Sequence, residues 1–249
     1  MFYGLPVAKV EWFERALREI HQIYGGHIFA SDMLITLSRN LSFWWDEGFA
    51  RSFNSTAETD QEKSLAWRLH VLAWAAHHAL HVSGDFVECG VLRGFSSAVI
   101  CKYLQFETVP KRFFLYDTFA GLPPETSTEQ ERATWNYADL EPEQWFAQVK
   151  AAFAAYPNVE IVRGVVPEAF RIAVPERIAF LHIDMNSEAA ELLALEHLFD
   201  RVSPGGLIVL DDFGWMSNRN QTVAEIDFMQ RRGHHVLELP TGQGLVIKR

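Results

Sequence analysis

Cysteine is nearly absent from this chain, with two in 249 residues, Cys89 and Cys101. Two thiols make neither a disulfide framework nor a cysteine-rich metal site. Cys89 lies inside an apolar run, which predicts a buried thiol and a cytoplasmic protein. Positive charge is also scarce: 22 Lys and Arg stand against 32 Asp and Glu, a net charge of −10 with His neutral. The longest basic runs are pairs, among them Arg231–Arg232 and Lys248–Arg249. Nucleic acid and anionic membrane surfaces reward basic patches, so both are excluded as main partners. No stretch reaches the ~18 apolar residues of a membrane span, and the first residues lack a basic segment followed by an apolar core. Also missing are G-x-G-x-x-G, H-E-x-x-H and G-x-S-x-G, which removes the dinucleotide fingerprint, the zinc-protease helix and the hydrolase elbow. There is no internal repeat and no low-complexity tract.

What is present is an ordinary globular composition, 49% hydrophobic and 22% charged. From Asp85 onward, short apolar runs alternate with helix-period segments, the pattern of a parallel α/β sheet. The strand-like runs are Asp85–Cys89, Arg112–Asp117, Val159–Arg163, Ile178–Asp184 and Gly206–Asp211, with helical stretches at about 95–105, 142–156 and 188–201. Runs such as AFLHI and LIVL are apolar almost throughout, as strands covered on both faces are. The end differs: a helix at about 221–232, then HHVLELP, the turn TGQG and LVIKR, which reads as a β-hairpin. Residues 1–84 read as a helical extension, clearest at 64–81, where Leu65, Leu69, Leu72, Ala76 and Leu80 share one stripe. The SFWWDEGFARSF segment (42–53) is predicted to pack into a core, the alternatives being a lid over the site or the contact of a homo-oligomer.

Acids recur at the ends of the predicted strands. In FVECGVLRGFSS, Glu88 precedes Gly90, and Gly94 follows just before a predicted helix start. Such a turn lets a ligand approach the backbone while the helix start offers free N–H groups. Taken alone, the spacing is equally that of a structural strand-to-helix turn. Asp117 closes the second strand, where α/β folds commonly bond a ribose diol. Asp184 closes FLHID, and Asp211 and Asp212 close LIVLDD. Clustered carboxylates repel unless a cation lies between them or one keeps a proton. Hard oxygen ligands of this kind suit Mg²⁺. The alternative is that one acid caps the next helix and another is solvated. Of the histidines, His77 and His81 have a chelating spacing but no third ligand, so they read as a polar helix face. His182 alternates onto the same strand face as Asp184.

These residues resemble the macrocin O-methyltransferase-like family of class I methyltransferases that use S-adenosylmethionine (SAM). The matching pieces are FVECGVLRGFSS, LYDTFAGLPP, VEIVRGVVPEAF, LHIDMNSEAAELLALEHLFDRVSPGG, LIVLDDFG and TGQGLVIKR, in family order over roughly 85–249. The resemblance implies a Rossmann-like, doubly wound, mostly parallel seven-stranded sheet with an antiparallel C-terminal hairpin (residues 85–249), preceded by the helical extension (1–84). It implies SAM contacts at Glu88, Gly90, Ser96, Ser97 and Asp184, ribose at Asp117, and adenine near Gly164 and Val165. It also implies a divalent metal, usually Mg²⁺, at Asp184, Asp211 and Asp212. Family members typically methylate a sugar hydroxyl of a natural product. One departure stands out: the acid common two positions after the fourth-strand Asp is Asn186 here.

The expectation is therefore O-methylation of a small hydroxylated acceptor, with metal assistance and with Asp184, or else His182, taking the proton. The segment 120–141 and the 42–53 aromatics would cover the site. Two rivals remain: a metal-independent small-molecule methyltransferase, and a SAM-binding protein that has lost catalysis, which Asn186 motivates.

Overall fold

The computed structural model describes residues 5–137 and 139–249. In chain order, the N-terminal segment holds α1 (Val10–Tyr24), a hairpin of β1 (Ile28–Ser31) and β2 (Leu34–Leu37), then α2 (Glu47–Asn54), α3 (Asp60–Ser64) and α4 (Ala66–Ala79). There follow β3 (Asp85–Cys89), α5 (Phe95–Leu104), β4 (Phe113–Asp117), α6 (Glu129–Thr134), α7 (Pro142–Ala152) and β5 (Val159–Arg163). The chain continues through β6 (Ile178–Ile183), α8 (Glu188–Leu198), β7 (Val202–Leu210), α9 (Arg219–Arg231), β8 (Leu237–Glu238) and β9 (Gly244–Ile247). No helix among the described residues is long and apolar enough to cross a membrane.

The main sheet has seven strands in the order β5-β4-β3-β6-β7-β9-β8. Its first five are parallel, while β9 runs antiparallel to β7 and β8 antiparallel to β9. The order reverses between β3 and β6, the topological switch at which α/β sheets open a crevice at their carboxyl ends. Strand alternation divides the core. Phe86, Leu115, Phe180 and Val209 face the layer holding α2, α4 and α5, whereas Val87, Tyr116, Leu181 and Leu210 face that of α8 and α9. Glu88, His182 and Asp211 have the parity of the first set, so three polar side chains end the face that α4 and α5 cover.

The β-hairpin at 28–37 is the main departure from the expected helical extension. IFASDMLITL is rich in β-formers, and Asp32 and Met33 both take positive φ (48° and 59°), as a two-residue hairpin turn requires. Neither residue is a glycine, so the turn left no mark in the sequence. Of the aromatic segment, Phe43, Phe49 and Phe53 are buried as predicted, with Phe43 against Trp67 and Phe53 against Phe95. Cys89 and Cys101 are buried free thiols.

Candidate active site

A cleft open to solvent lies beyond the carboxyl ends of β3, β4, β5 and β6. Gly90, Asp117, Gly164, Val165 and Asp184 line it, together with Asn186. The segment after β4 closes it from above through Gly121, Leu122, Thr126 and Tyr137. That cover is tied down at two points. Ser187 Oγ donates to the Thr126 carbonyl, and the Glu188 N–H at the start of α8 donates to Glu131 Oε1 at 3.0 Å. Glu131 also closes a capping box with Thr128 on α6, so one side chain serves two helix starts.

Gly90 is required for two reasons. Its φ is +89°, and a Cβ would stand 1.7 Å from the Asp184 carbonyl oxygen. Two strand ends thus meet backbone to backbone at the cleft floor. Asp117 organises the same turn from β4. Its Oδ2 accepts the N–H groups of Val91 and Leu92 at 2.7 and 2.8 Å, and its Oδ1 accepts that of Phe119 at 2.7 Å. Burial raises the pKa of this carboxyl, against the pull of those three donors.

Beside the cleft runs a buried polar row. Glu88 accepts from Ser97 Oγ on α5 and faces His182 Nδ1 at 2.8 Å, while His182 Nε2 faces Asp211 Oδ1 at 3.4 Å. Burial disfavours a charged imidazole, but carboxylates at both ring nitrogens outweigh it and raise the His182 pKa to about 10. Gln243 Nε2 donates to Asp211 Oδ1 at 2.8 Å, and Arg68 Nη1 on α4 donates to Asp211 Oδ2 at 2.6 Å. Burial opposes ionisation of Asp211, yet Arg68 and His182 hold its pKa well below the carboxylate range. Arg68 is anchored from behind by both oxygens of Asp32, in the turn between β1 and β2. Burial and the charge on Asp211 push Asp184 well up and Asp212 up to about 7.

Residues 67–237 match the family described as Macrocin-O-methyltransferase (TylF). The chain belongs to that family. Among curated relatives, the mycinamicin III 3''-O-methyltransferase of Micromonospora griseorubida is 29% identical over 162 residues, covering 59% of this chain and 62% of that protein. The 8-demethyl-8-(2,3-dimethoxy-alpha-L-rhamnosyl)-tetracenomycin-C 4'-O-methyltransferase of Streptomyces olivaceus is 30% identical over 141 residues, covering 53% and 54%. The matched stretch therefore spans between about half and two thirds of these relatives' length. The fold is shared with the O-methyltransferase NovP, with a TM-score of 0.61 and 19% identity over 73% of this chain and 79% of that one. It is shared as well with the calicheamicin methyltransferase CalS11, with a TM-score of 0.60 and 15% identity over 81% and 91%. The α/β fold is thus that of class I methyltransferases, antiparallel end included.

Within this macrocin-O-methyltransferase fold, the residues singled out from the sequence separate into two groups. Gly90, Asp117, Gly164, Val165 and Asp184 meet at the cleft. Glu88, Ser97 and His182 lie beneath it, buried and bonded to one another, and Ser96 is half-buried in the first turn of α5. Asp211 and Asp212 are buried beside the cleft, and His182, Asp184 and Asp211 offer ligand atoms within 4.8 Å of one another. His77 on α4 and His81 in the turn that follows it are exposed and contact each other edge to face.

Asp212 Oδ2 and Asn186 Oδ1 are buried oxygens with no hydrogen-bond partner, and Asp211 and Asp212 lie 2.6 and 3.8 Å from the Arg68 guanidinium, with Asp184 in reach of Asp211 and His182. This surplus of hard oxygen fits a divalent cation. Sequence reasoning missed Arg68, Asp32 and Gln243. A lone Arg in a helical stripe carries no signal, whereas the TGQG turn was visible as a motif without a role. Also unforeseen was a buried pair, Glu191 on α8 and Glu225 on α9. Glu191 accepts the N–H groups of Met185 and Asn186 and the Gln221 amide, so it shapes the loop that carries Asn186 into the cleft.

Proposed function

We propose that this chain transfers a methyl group from SAM to a hydroxyl of a sugar carried on a small natural product. The observation that carries the reading is the cleft at the strand switch, bounded by Gly90, Asp117 and Gly164–Val165, with the carboxylate cluster directly beside it in a chain of this family. SAM lies with its methionine part against the Gly90 turn and Asp184, its ribose at Asp117 and its adenine at Gly164–Val165. Ser96 adds a polar group from the first turn of α5. Glu88 and Ser97 act from below by holding the floor of the turn. The names of both relatives, each an O-methyltransferase of a glycosylated natural product, support the acceptor class.

The methyl group of SAM is already activated, so the protein's work is alignment and removal of the hydroxyl proton. Asp184 lines the cleft and burial raises its pKa, which suits a carboxylate that must accept a proton. His182 is assigned a positioning role, because both of its nitrogens are committed to carboxylates and its side chain is fully buried. Asp184, Asp211 and Asp212 would hold Mg²⁺, which when bound lowers the pKa of a hydroxyl as a Lewis acid. Segment 120–137 lines one side of the cleft and with SAM bound would limit the water around the reacting groups, which strengthens charge interactions there.

The test is release of S-adenosylhomocysteine (SAH) from SAM with a panel of glycosylated macrolides and aromatic polyketides, scored by mass spectrometry for a gain of one methyl. Methylation on aglycone hydroxyls alone would overturn the acceptor class. SAM binding with no product across the panel would instead favour the non-catalytic binding protein, the reading that Asn186 in place of the usual acid supports.

A further inference from the structure

Two groups lay claim to the charge of Arg68. Its Nε and Nη2 lie 3.0 and 3.1 Å from the two oxygens of Asp32, fork against fork. Its Nη1 lies 2.6 Å from Asp211 Oδ2 and 3.8 Å from Asp212 Oδ1. The guanidinium also lies 5.2 Å from the centre of the Trp215 ring. The side chain is 11% exposed, so solvent and salt screen it little. The other oxygen of Asp212, Oδ2, is buried without a partner.

We propose that Arg68 and a divalent cation compete for the Asp211–Asp212 carboxylates, so that a residue outside the SAM-binding strands sets how tightly this chain holds its metal. The inference rests on the metal-assisted reading above and deepens it. A guanidinium does not lose its proton at any working pH. Its positive charge therefore remains a few ångströms from wherever these carboxylates hold a cation. Even at the effective dielectric of protein, repulsion at that range lowers affinity by roughly tenfold or more. Asp32 works in the opposite sense, since it takes up part of the Arg68 charge and leaves more carboxylate for the metal. Because Asp32 sits in the β1–β2 turn, the placement of that hairpin tunes the site. Ser31 Oγ, which donates to the Ser64 carbonyl at 2.8 Å, and Phe29, packed on Trp67, hold the hairpin in place.

The experiment titrates Mn²⁺ into the full chain at saturating SAH and follows the free-ion signal by electron paramagnetic resonance. Wild type, Arg68→Met and Asp32→Asn are compared. Arg68→Met is expected to bind Mn²⁺ about tenfold more tightly or better, and Asp32→Asn several-fold more weakly. A merely structural role for the Asp32–Arg68 pair would weaken both variants. Mn²⁺ affinity of Arg68→Met at or below wild type, or tighter binding by Asp32→Asn, overturns the proposal. Should Arg68→Met fail to fold, Arg68→Gln, which removes the charge but keeps hydrogen-bond donors for the carboxylates, takes its place with the same expected tightening. Absence of Mn²⁺ binding from every protein, wild type included, overturns the metal-assisted reading itself. Binding by wild type that neither variant alters overturns this inference alone.

Discussion

In the proposed SAM site Asp117 joins fold and ligand in one carboxylate, and replacing it with Ala separates the two contributions. Three backbone N–H groups lose an ionised acceptor at 2.7, 2.8 and 2.7 Å. Hydrogen bonds to charged groups are worth about 1.5–3 kcal/mol each. Leu92 is exposed enough for water to replace its share, while Val91 is buried. A net loss of about 3–5 kcal/mol follows, which for a chain of this size lowers Tm by roughly 6–20 °C. SAH affinity falls as well, by about 10–100-fold for the lost ribose bond. The ribose share is isolated by calorimetric titration of SAH and its 2′-deoxy analogue into wild type and variant, a cycle that cancels the general loosening of the turn. Wild type should prefer SAH strongly, and Asp117→Ala should prefer it far less. An equal preference in both proteins would refute ribose recognition by Asp117. An unchanged Tm would refute its role as the clamp of the glycine turn.

Gly90→Ala should yield no folded, SAM-binding protein, because its Cβ collides with the Asp184 backbone at positive φ; a soluble variant with wild-type SAH affinity in calorimetry defeats that reading of the cleft floor. Glu88→Gln leaves His182 without the carboxylate at its Nδ1, and breaking a buried pair of this kind costs about 3–5 kcal/mol. Its Tm in scanning fluorimetry should drop sharply, whereas a normal Tm with weakened SAM binding would make Glu88 a direct ligand contact after all. Glu191 and Glu225 form a buried carboxyl pair in which burial raises both, Glu191 well above the ordinary value and Glu225 to about 7, so the pair keeps a proton at neutral pH. A raised carboxyl pKa contributes stability that is complete below the ordinary value and lost as pH rises through the folded one. Glu225→Gln should therefore melt higher than wild type at pH 8 and lose that advantage by pH 5; equal Tm differences at both pH values would show that the pair shares no proton.

The strand-end acids and glycine turns were legible because strand period, apolar runs and turn residues act locally. Alternation along AFLHI and LIVL was enough to place His182 with Asp184 and to put acids at neighbouring strand ends. Family resemblance then supplied the doubly wound order and the antiparallel end, and the structure carries both. Local pattern could not say which of those acids face a cleft and which are buried under it. Glu88 and Asp117 look equivalent in sequence, each closing a strand before a glycine-rich turn. Packing against α4 and α5 makes one the partner of a buried imidazole and the other a wall of the cleft.

Alternation, turns and the supply of carboxylates can be read along the chain, since they follow from periodicity and residue chemistry a few positions apart. The source of the compensating charge is instead set by packing between distant segments. Arg68 is 143 residues from Asp211 in the chain, and Gln243 is 32 residues beyond it. No spacing rule links them, because their meeting is set by how α4 and the β8–β9 turn pack around β7. Buried charges make such long-range choices decisive: the low dielectric that makes a lone carboxylate costly also gives weight to whichever distant donor the fold brings to it.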